Sequence, residues 1–543
     1  MKGTIIRLAG VSALMLGAIA DLVQAAPGDL RLVTAAAARD SAAVQRLLKQ
    51  GIDVNAARAD GVTALSWAAH WDDLDTVDLL LRTGARVNVT DDHGVTALAL
   101  AAENASEKVV ARLLAATADP NIAQASGLTP LMIAARTGSA TVVRLLLEHG
   151  AKVNATTKES RVSALMWAAA ESHRELVQVL IQGGADVHLS SAKDFTPLMY
   201  AAQNGDIETA KRLIAAGVNV NETGTDGTHP LPFSLVYGHG DFALFLLGQG
   251  ADPNARIDGV GALHAAAGNV NTWLVDWFRR HGDNGSAGGG FVGGGRGLAA
   301  HQRIRLVNAL VERGANVNAP ITTSALFMTY IGYPKKGAFE PFACGTGDLY
   351  GATPLWVAAY TANANVGGDG DRRGEAGHVE STTEVIRALL AAGANVGLTT
   401  DDGTTPLMVA AGLGRSTFQP GLPRGRRSIG AEEAVEALLA AGADIHTVNE
   451  ADFTALHGAA FRGLNEVIEI LVTRGATIDA RDYRGRTPYR LAEGSKQSFQ
   501  FQAYPQTAEF IKRLGANTRL GIAGTVHERV RDVAVAIGAA DQP

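Results

Sequence analysis

The sequence predicts an all-α repeat fold, a solenoid of about twelve helix-turn-helix units with hairpin loops between them. Three observations carry that expectation. Aligning Thr-Ala-Leu, Thr-Pro-Leu and related triplets places leucines at Leu65, Leu98, Leu131, Leu165, Leu198, Leu231 and Leu263, spaced by 33, 33, 34, 33, 33 and 32 residues. The triplets run into an Ala-Ala pair, as in Thr129-Pro130-Leu131-Met132-Ile133-Ala134-Ala135, and a second apolar stretch such as Val142-Val143-Arg144-Leu145-Leu146-Leu147 follows. A glycine then recurs at Gly84, Gly150, Gly184, Gly217, Gly250, Gly314, Gly393, Gly442 and Gly475. Self-similarity at such a period marks a stack of identical supersecondary units rather than several round domains.

From the N-terminus onward, Lys2 and Arg7 precede an apolar run from Leu8 to Ala20, and Val23-Gln24-Ala25 fits a small-x-small cleavage site. Residues 1–25 therefore read as an export signal, the run being too short for a membrane span of about 20 residues. Within each unit, Thr caps the first helix through its hydroxyl, Pro suits the first helical turn, and the Ala pair lets neighbouring helices approach closely. The second helix presents Val and Leu on one face, and the glycine after it supplies a left-handed cap. A helix pair of this kind cannot cover its apolar face alone, so it stacks on the next.

These residues resemble the ankyrin repeat, over about residues 30–517, in an exported protein of bacterial type. Arg outnumbers Lys 37 to 11, in keeping with a GC-rich genome. The first unit, Leu32 to Ala56, lacks the Thr-Pro-Leu start and suits a terminal cap. The twelfth opens at Thr487-Pro488-Tyr489 and closes with Gly515-Ala516-Asn517. Two departures stand out. Thr117 replaces the cap glycine of unit three, so the turn there should be strained or reshaped. Unit seven reads Pro230-Leu231-Pro232-Phe233, and its first helix is expected to start late. His264 and His457 fall where the ankyrin pattern carries its own histidine, which implies a structural hydrogen-bonding role. Met132, Met166, Met199 and Met408 share that slot, as core packing or as a soft binding wall.

After Leu263 the spacings widen to 92, 52 and 49 residues. The extra chain falls at 268–300, 361–380 and 412–430, between the first and second helices of units eight to ten, with a further insertion at 320–350 in a hairpin. Equivalent turns of stacked units lie side by side, so three insertions should meet along one edge. That edge offers Trp277, Arg279, Arg280 and His281, then Asp371, Arg372, Arg373 and His378, then Arg415, Phe418, Arg424, Arg426 and Arg427. These charges either bind a partner or satisfy one another internally. Residues 518–543 form a tail in which Thr525-Val526-His527-Glu528 opens a capping helix.

Composition narrows the function. The chain has 47% hydrophobic and 19% charged residues, which excludes a disordered polymer. A net charge of −6 argues against nucleic-acid partners. One cysteine, Cys344, excludes an intrachain disulfide or a cysteine-rich zinc site. No apolar run after the signal is long enough to span a membrane. Gly288 to Gly293 matches a dinucleotide fingerprint without the strand and helix it needs, and Asp369 to Glu375 starts like a calcium loop with Arg373 at a ligand position. No metal, cofactor or catalytic constellation is expected, and the chain reads as a non-enzyme and a monomer. The ankyrin resemblance implies another protein as partner, held by hairpin tips and first helices. On matching positions the contact residues would be Trp71, Asp92, His93, Arg136, Phe195, Asn204, Tyr350, Tyr360, Phe453, Phe461 and Arg462, with Phe195 and Phe453 alternatively packing on their own hairpins. A periplasmic or secreted scaffold is the leading reading. The alternative is a small-molecule or carbohydrate-handling protein, enzymatic or not, with a pocket built by the insertions.

Overall fold

A computed structural model describes residues 29–281, 298–323, 349–362, 377–413, 427–482, 485–496 and 501–520. The chain divides after Thr225 into two compact units. The export signal, Cys344 and the Thr525 capping box lie outside the described residues.

The first unit is built of helix pairs: α1 (Arg31–Ala37) with α2 (Ser41–Lys49), α3 (Ala64–His70) with α4 (Leu74–Arg82), α5 (Ala97–Glu103) with α6 (Glu107–Ala115), α7 (Pro130–Thr137) with α8 (Ala140–Glu148), α9 (Ala164–Ala170) with α10 (Arg174–Gln182), and α11 (Pro197–Asn204) with α12 (Ile207–Ala215). Each pair packs internally, and first helices pack on first helices, second on second. Local sequence explains the starts. The hydroxyls of Thr63, Thr96, Thr129, Ser163 and Thr196 accept the N–H three residues on, satisfying donors that have no partner inside the helix. Ala134, Ala135, Val142, Val143 and Leu146 are fully buried, so the core is the seam between small first-helix residues and branched second-helix residues. Met132, Met166 and Met199 belong to that core, at 1% exposure or less.

Consecutive pairs are tied together by asparagines. Asn154 donates to the Gly184 carbonyl at 3.1 Å and accepts from the Asp186 N–H at 2.7 Å. Asn55, Asn88 and Asn121 make the same two bonds to the pair that follows each. Gly150 sits at φ +85° with open space where a Cβ would stand, so backbone conformation and not crowding selects glycine there. Thr117 takes the same turn at φ +65°, keeping the shape at the cost of a left-handed β-branched residue.

The second unit continues the plan: α13 (Pro230–Val236), α14 (Gly240–Gly248), a hairpin of β1 (Arg256–Ile257) and β2 (Val260–Gly261), then α15 (Ala262–Ala267). A single 3-10 turn (Asn271–Trp273) and the short α16 (Val275–Arg280) precede α17 (Ala300–Glu312), which packs beside α14 as a second helix would. Then come α18 (Pro354–Ala362), α19 (Gly377–Ala391), α20 (Pro406–Ala410), α21 (Ile429–Ala440), α22 (Ala455–Arg462), α23 (Asn465–Thr473), α24 (Pro488–Gly494), the small ladder β3 (Ser495–Lys496) with β4 (Phe501–Gln502), and α25 (Pro505–Arg513). Helix α13 starts at Pro230 and not late. Pro230 and Pro232 occupy the first turn, where no intrahelical N–H bond is available to lose. Asn254 and Asn318 repeat the asparagine rung onto Gly314 and Gly393.

His264 and His457 are fully buried. Each ring accepts, at Nδ1, the N–H of the residue before its helix, and its Nε2 faces a carbonyl of the next pair, Ala352 at 3.1 Å and Arg486 at 3.3 Å. These rings are internal staples. Burial pushes His264 down to about 4 and lowers His457, the facing carbonyls only partly opposing it.

Candidate functional site

On the first-helix side of the first unit, helix ends and hairpin tips present polar and aromatic groups. Trp71 is half-buried, stacked on Trp67 with centroids 5.9 Å apart, and the exposed Arg39 guanidinium lies 5.4 Å from its ring. Its Nε1 donates to the Ala37 carbonyl at 3.2 Å, so the indole also closes the end of α1. His70 packs against both tryptophans, and its burial lowers its pKa, with Glu103 opposing. Arg136 repeats the motif three pairs on, 5.8 Å from the half-exposed Trp167 ring and 3.6 Å from Glu103. Asn204 is exposed, with its amide bound to the Ala170 carbonyl at 2.6 Å.

Hairpin tips are ordered by backbone bonds from one tip to the next. The Asp92 N–H donates to the Asp60 carbonyl at 3.0 Å, and the His93 carbonyl accepts from Ala125 at 2.8 Å. Asp91 accepts the N–H groups of His93 and Val95, fixing the turn. The side chains of Asp92 and His93 stand exposed on this rigid frame.

Several expected contact residues are instead core. Phe195 is 6% exposed, edge-on to Tyr200 at 5.7 Å, and Phe453 is 1% exposed against His457 at 5.6 Å, so both pack on their own hairpins. Tyr360 lies flat on Trp356 at 5.4 Å and 7°. Phe461 and Arg462 are buried because the turn after α20 closes on α22, where a Cβ on Gly412 would come within 2.8 Å of Arg462 Cγ. Tyr350 stays exposed at 43%.

The expected inserted edge divides three ways. Asp371, Arg372, Arg373, Arg415, Phe418, Arg424 and Arg426 lie outside the described residues, as does the side chain of His378. Arg427 is exposed and bonds Glu432 through Nε and Nη2 at 2.9 and 2.7 Å, an internal ion pair that raises the guanidinium pKa further. Trp277 and His281 turn inward, at 0% and 9% exposure, while Arg279 and Arg280 remain exposed.

Trp277 and His281 turn inward because α16 docks on α13 and on the hairpin before it. Trp277 meets Phe233 at 5.6 Å, and Phe278 meets Tyr237 at 6.1 Å. The Trp277 Nε1 donates to Thr228 Oγ1 at 2.9 Å and to Asp226 Oδ2 at 3.2 Å. The His281 ring stacks on Trp277 at 4.1 Å, with Nδ1 2.7 Å from the Trp277 carbonyl and Nε2 3.2 Å from Asp226 Oδ2. Burial would raise the Asp226 carboxyl, but donation from His281 and Thr228 outweighs it and holds the group well below the usual carboxylate range. On the other side, Trp273 meets Tyr360 at 5.6 Å and Trp356 at 6.2 Å on α18. Sequence reasoning missed Asp226, Thr228, Phe233 and Tyr237, since no local pattern marks a partner some fifty positions away.

The space beside this segment that is lined by Leu235, Ala265, Gly268, Asn271, Leu298 and Arg303, among others, is too narrow to admit even a water molecule, and so is no ligand pocket. The buried Arg303 donates to the Ala266 carbonyl at 3.2 Å, closing the end of α15. Among the described residues no group of three or more His, Cys, Asp or Glu could hold a metal ion, and no helix is long and apolar enough to cross a membrane.

The family model for ankyrin repeats in three copies matches residues 32–124, 112–191 and 165–257, and the single-repeat model matches residues 452–483. Among solved structures, the ankyrin repeat domain of human ASB11 is 26% identical, with 37% of this chain and 89% of that one covered and a TM-score of 0.34. No curated protein matches the chain. Residues 32–257 and 452–483 are ankyrin repeats, and the fold is a helical ankyrin-repeat solenoid.

Proposed function

We propose that the protein is a non-enzymatic scaffold that binds another protein through the first helices and hairpin tips of its first unit. Ankyrin repeats generally mediate protein–protein interaction. The observation that carries the reading is the Arg39–Trp71–His70 cluster, a half-exposed aromatic and cationic anchor of the kind that dominates interface energetics, held rigid by the bond from Trp71 to Ala37. Arg136 on Trp167 adds a second anchor, and the exposed Asp92 and His93 supply polar contacts at the rim.

Pull-down of interacting proteins with wild type, Trp71→Ala and Arg136→Ala tests it. A partner captured by wild type and lost by at least tenfold in either variant is the expected result; capture at equal strength by both variants refutes this face. We further propose that the protein is exported and works outside the cytoplasm, on the support of Lys2, Arg7 and the Leu8 to Ala20 run. Mass spectrometry of the protein from its source cells should find a chain starting at Ala26. A chain that keeps residues 1–25 would refute export by this signal.

A further inference from the structure

Resting on the scaffold reading but concerning a different surface, we propose that the face formed by α13, α18 and the hairpin carboxylates Asp226 and Asp258 is a second docking surface. Its partner is a helical segment with paired aromatics followed by cations, and residues 271–281 are its built-in competitor. The positions are telling. Phe233 and Tyr237 stand two and six residues after Leu231, where Trp67 and Trp71 stand relative to Leu65. In the first unit Trp67 of that pair is buried and Trp71 is the half-buried ring of the proposed partner-binding face; at the equivalent pair here the chain's own Trp277 and Phe278 lie on Phe233 and Tyr237. The segment reaches the site by passing close to α18, where a Cβ on Gly268 would come within 2.2 Å of Thr361 Oγ1.

The chemistry of the face follows from what occupies it. Phe233, Tyr237, Trp356 and Tyr360 offer rings to Trp273, Trp277 and Phe278. At the rim, acids meet basic side chains: Asp226 faces the His281 ring at 3.2 Å and Asp258 receives Arg280 Nη2 at 2.8 Å. An acidic rim around an aromatic floor selects a segment that is aromatic on one side and basic at its end, as residues 271–281 are. Because this occupant is part of the same chain, a free partner competes against a high effective concentration, so the surface engages only partners that bind tightly or are themselves tethered nearby.

The test uses the full chain and a fluorescein-labelled synthetic peptide with the sequence of residues 271–281. In a Trp273→Ala/Trp277→Ala variant the internal occupant loses its anchors, and the peptide should bind at least tenfold more tightly than to wild type. A peptide with both tryptophans replaced by alanine should not bind, and adding Asp226→Asn and Asp258→Asn should weaken binding several-fold. Should the double variant fail to fold by circular dichroism, Arg280→Ala, which removes a rim contact to Asp258 and leaves the packed rings in place, carries the test and should also bind the peptide more tightly than wild type. Equal binding to wild type and to the folded variant overturns the proposal. So does absence of binding to a variant in which hydrogen exchange shows residues 271–281 released. Failure here with a partner still captured through Trp71 leaves the scaffold reading intact, whereas peptide binding without any captured partner refutes the scaffold reading alone.

Discussion

The asparagine rung gives a quantitative prediction at a junction where its position carries no side chain at all. Asn318 bonds the Gly393 carbonyl and the Asn395 N–H at 3.3 and 2.8 Å, but the equivalent position in the following unit is Gly397, which has no side chain to reach Gly442 and Asp444. Gly397→Asn should restore the rung. Residue 397 is exposed, its φ is not in the left-handed region, and a Cβ there meets only Asn395 Oδ1 at an ordinary 3.4 Å, so the substitution fits without strain. Two exposed hydrogen bonds contribute about 1 kcal/mol together at the low end of their range. Removing glycine from the unfolded chain adds about 0.5 kcal/mol, and ordering the new side chain costs about as much. The net gain is about 1 kcal/mol, a fivefold slowing of local opening. Native-state hydrogen exchange at the Asp444 amide reads it directly, with Gly397→Ala as the control that keeps the backbone effect and lacks the amide. If the Asp444 amide exchanges equally fast in the Asn and Ala variants, the rung is not a source of stability, and the reasoning fails for the other junctions as well.

Thr117→Gly should stabilise the first unit by about 1 kcal/mol in urea unfolding, because it relieves a left-handed β-branched residue and keeps the carbonyl that Asn88 binds; a loss of stability would show the turn to be unstrained. Leu146→Ala should cost about 2–5 kcal/mol by the same measurement, since the side chain is fully buried and the cavity cannot collapse between packed helices; a cost under 1 kcal/mol would contradict the seam description of the core. His264 is held neutral, near 4 against an ordinary 6.5, so the unfolded chain binds a proton there that the folded chain does not. Its contribution is therefore complete above pH 6.5 and declines as the pH falls toward 4, by on the order of 3 kcal/mol. His264→Met, which places the residue found at Met132, Met166 and Met199, should flatten that part of the pH–stability curve, and an unchanged slope would assign it elsewhere.

Much of the fold is legible because its determinants are local. Thr129 caps the helix it precedes, Pro130 fits the turn it begins, and Gly150 turns the chain where the second helix ends, each within a few residues of its effect. The roles of His264 and His457 were readable as well, because the repeat places a carbonyl of the next pair at a fixed distance from that slot. The candidate site was less legible. Trp71 and Arg136 stand on the accessible face as expected, yet Tyr360, Phe461 and Arg462, at comparable positions in later units, are buried. The repeat period says which way a side chain points, but not whether another segment has been laid over it.

That division has a physical cause. The sequence by itself determined the helix pairs, their caps and the direction of stacking, since these depend on hydrogen bonds and apolar spacing within one 33-residue period. Only the tertiary structure decided where the inserted chain goes. Trp277 finds Asp226 across 51 residues and Tyr237 receives Phe278, contacts chosen by the burial of aromatic area and the pairing of charge on a surface that forms after the units have stacked.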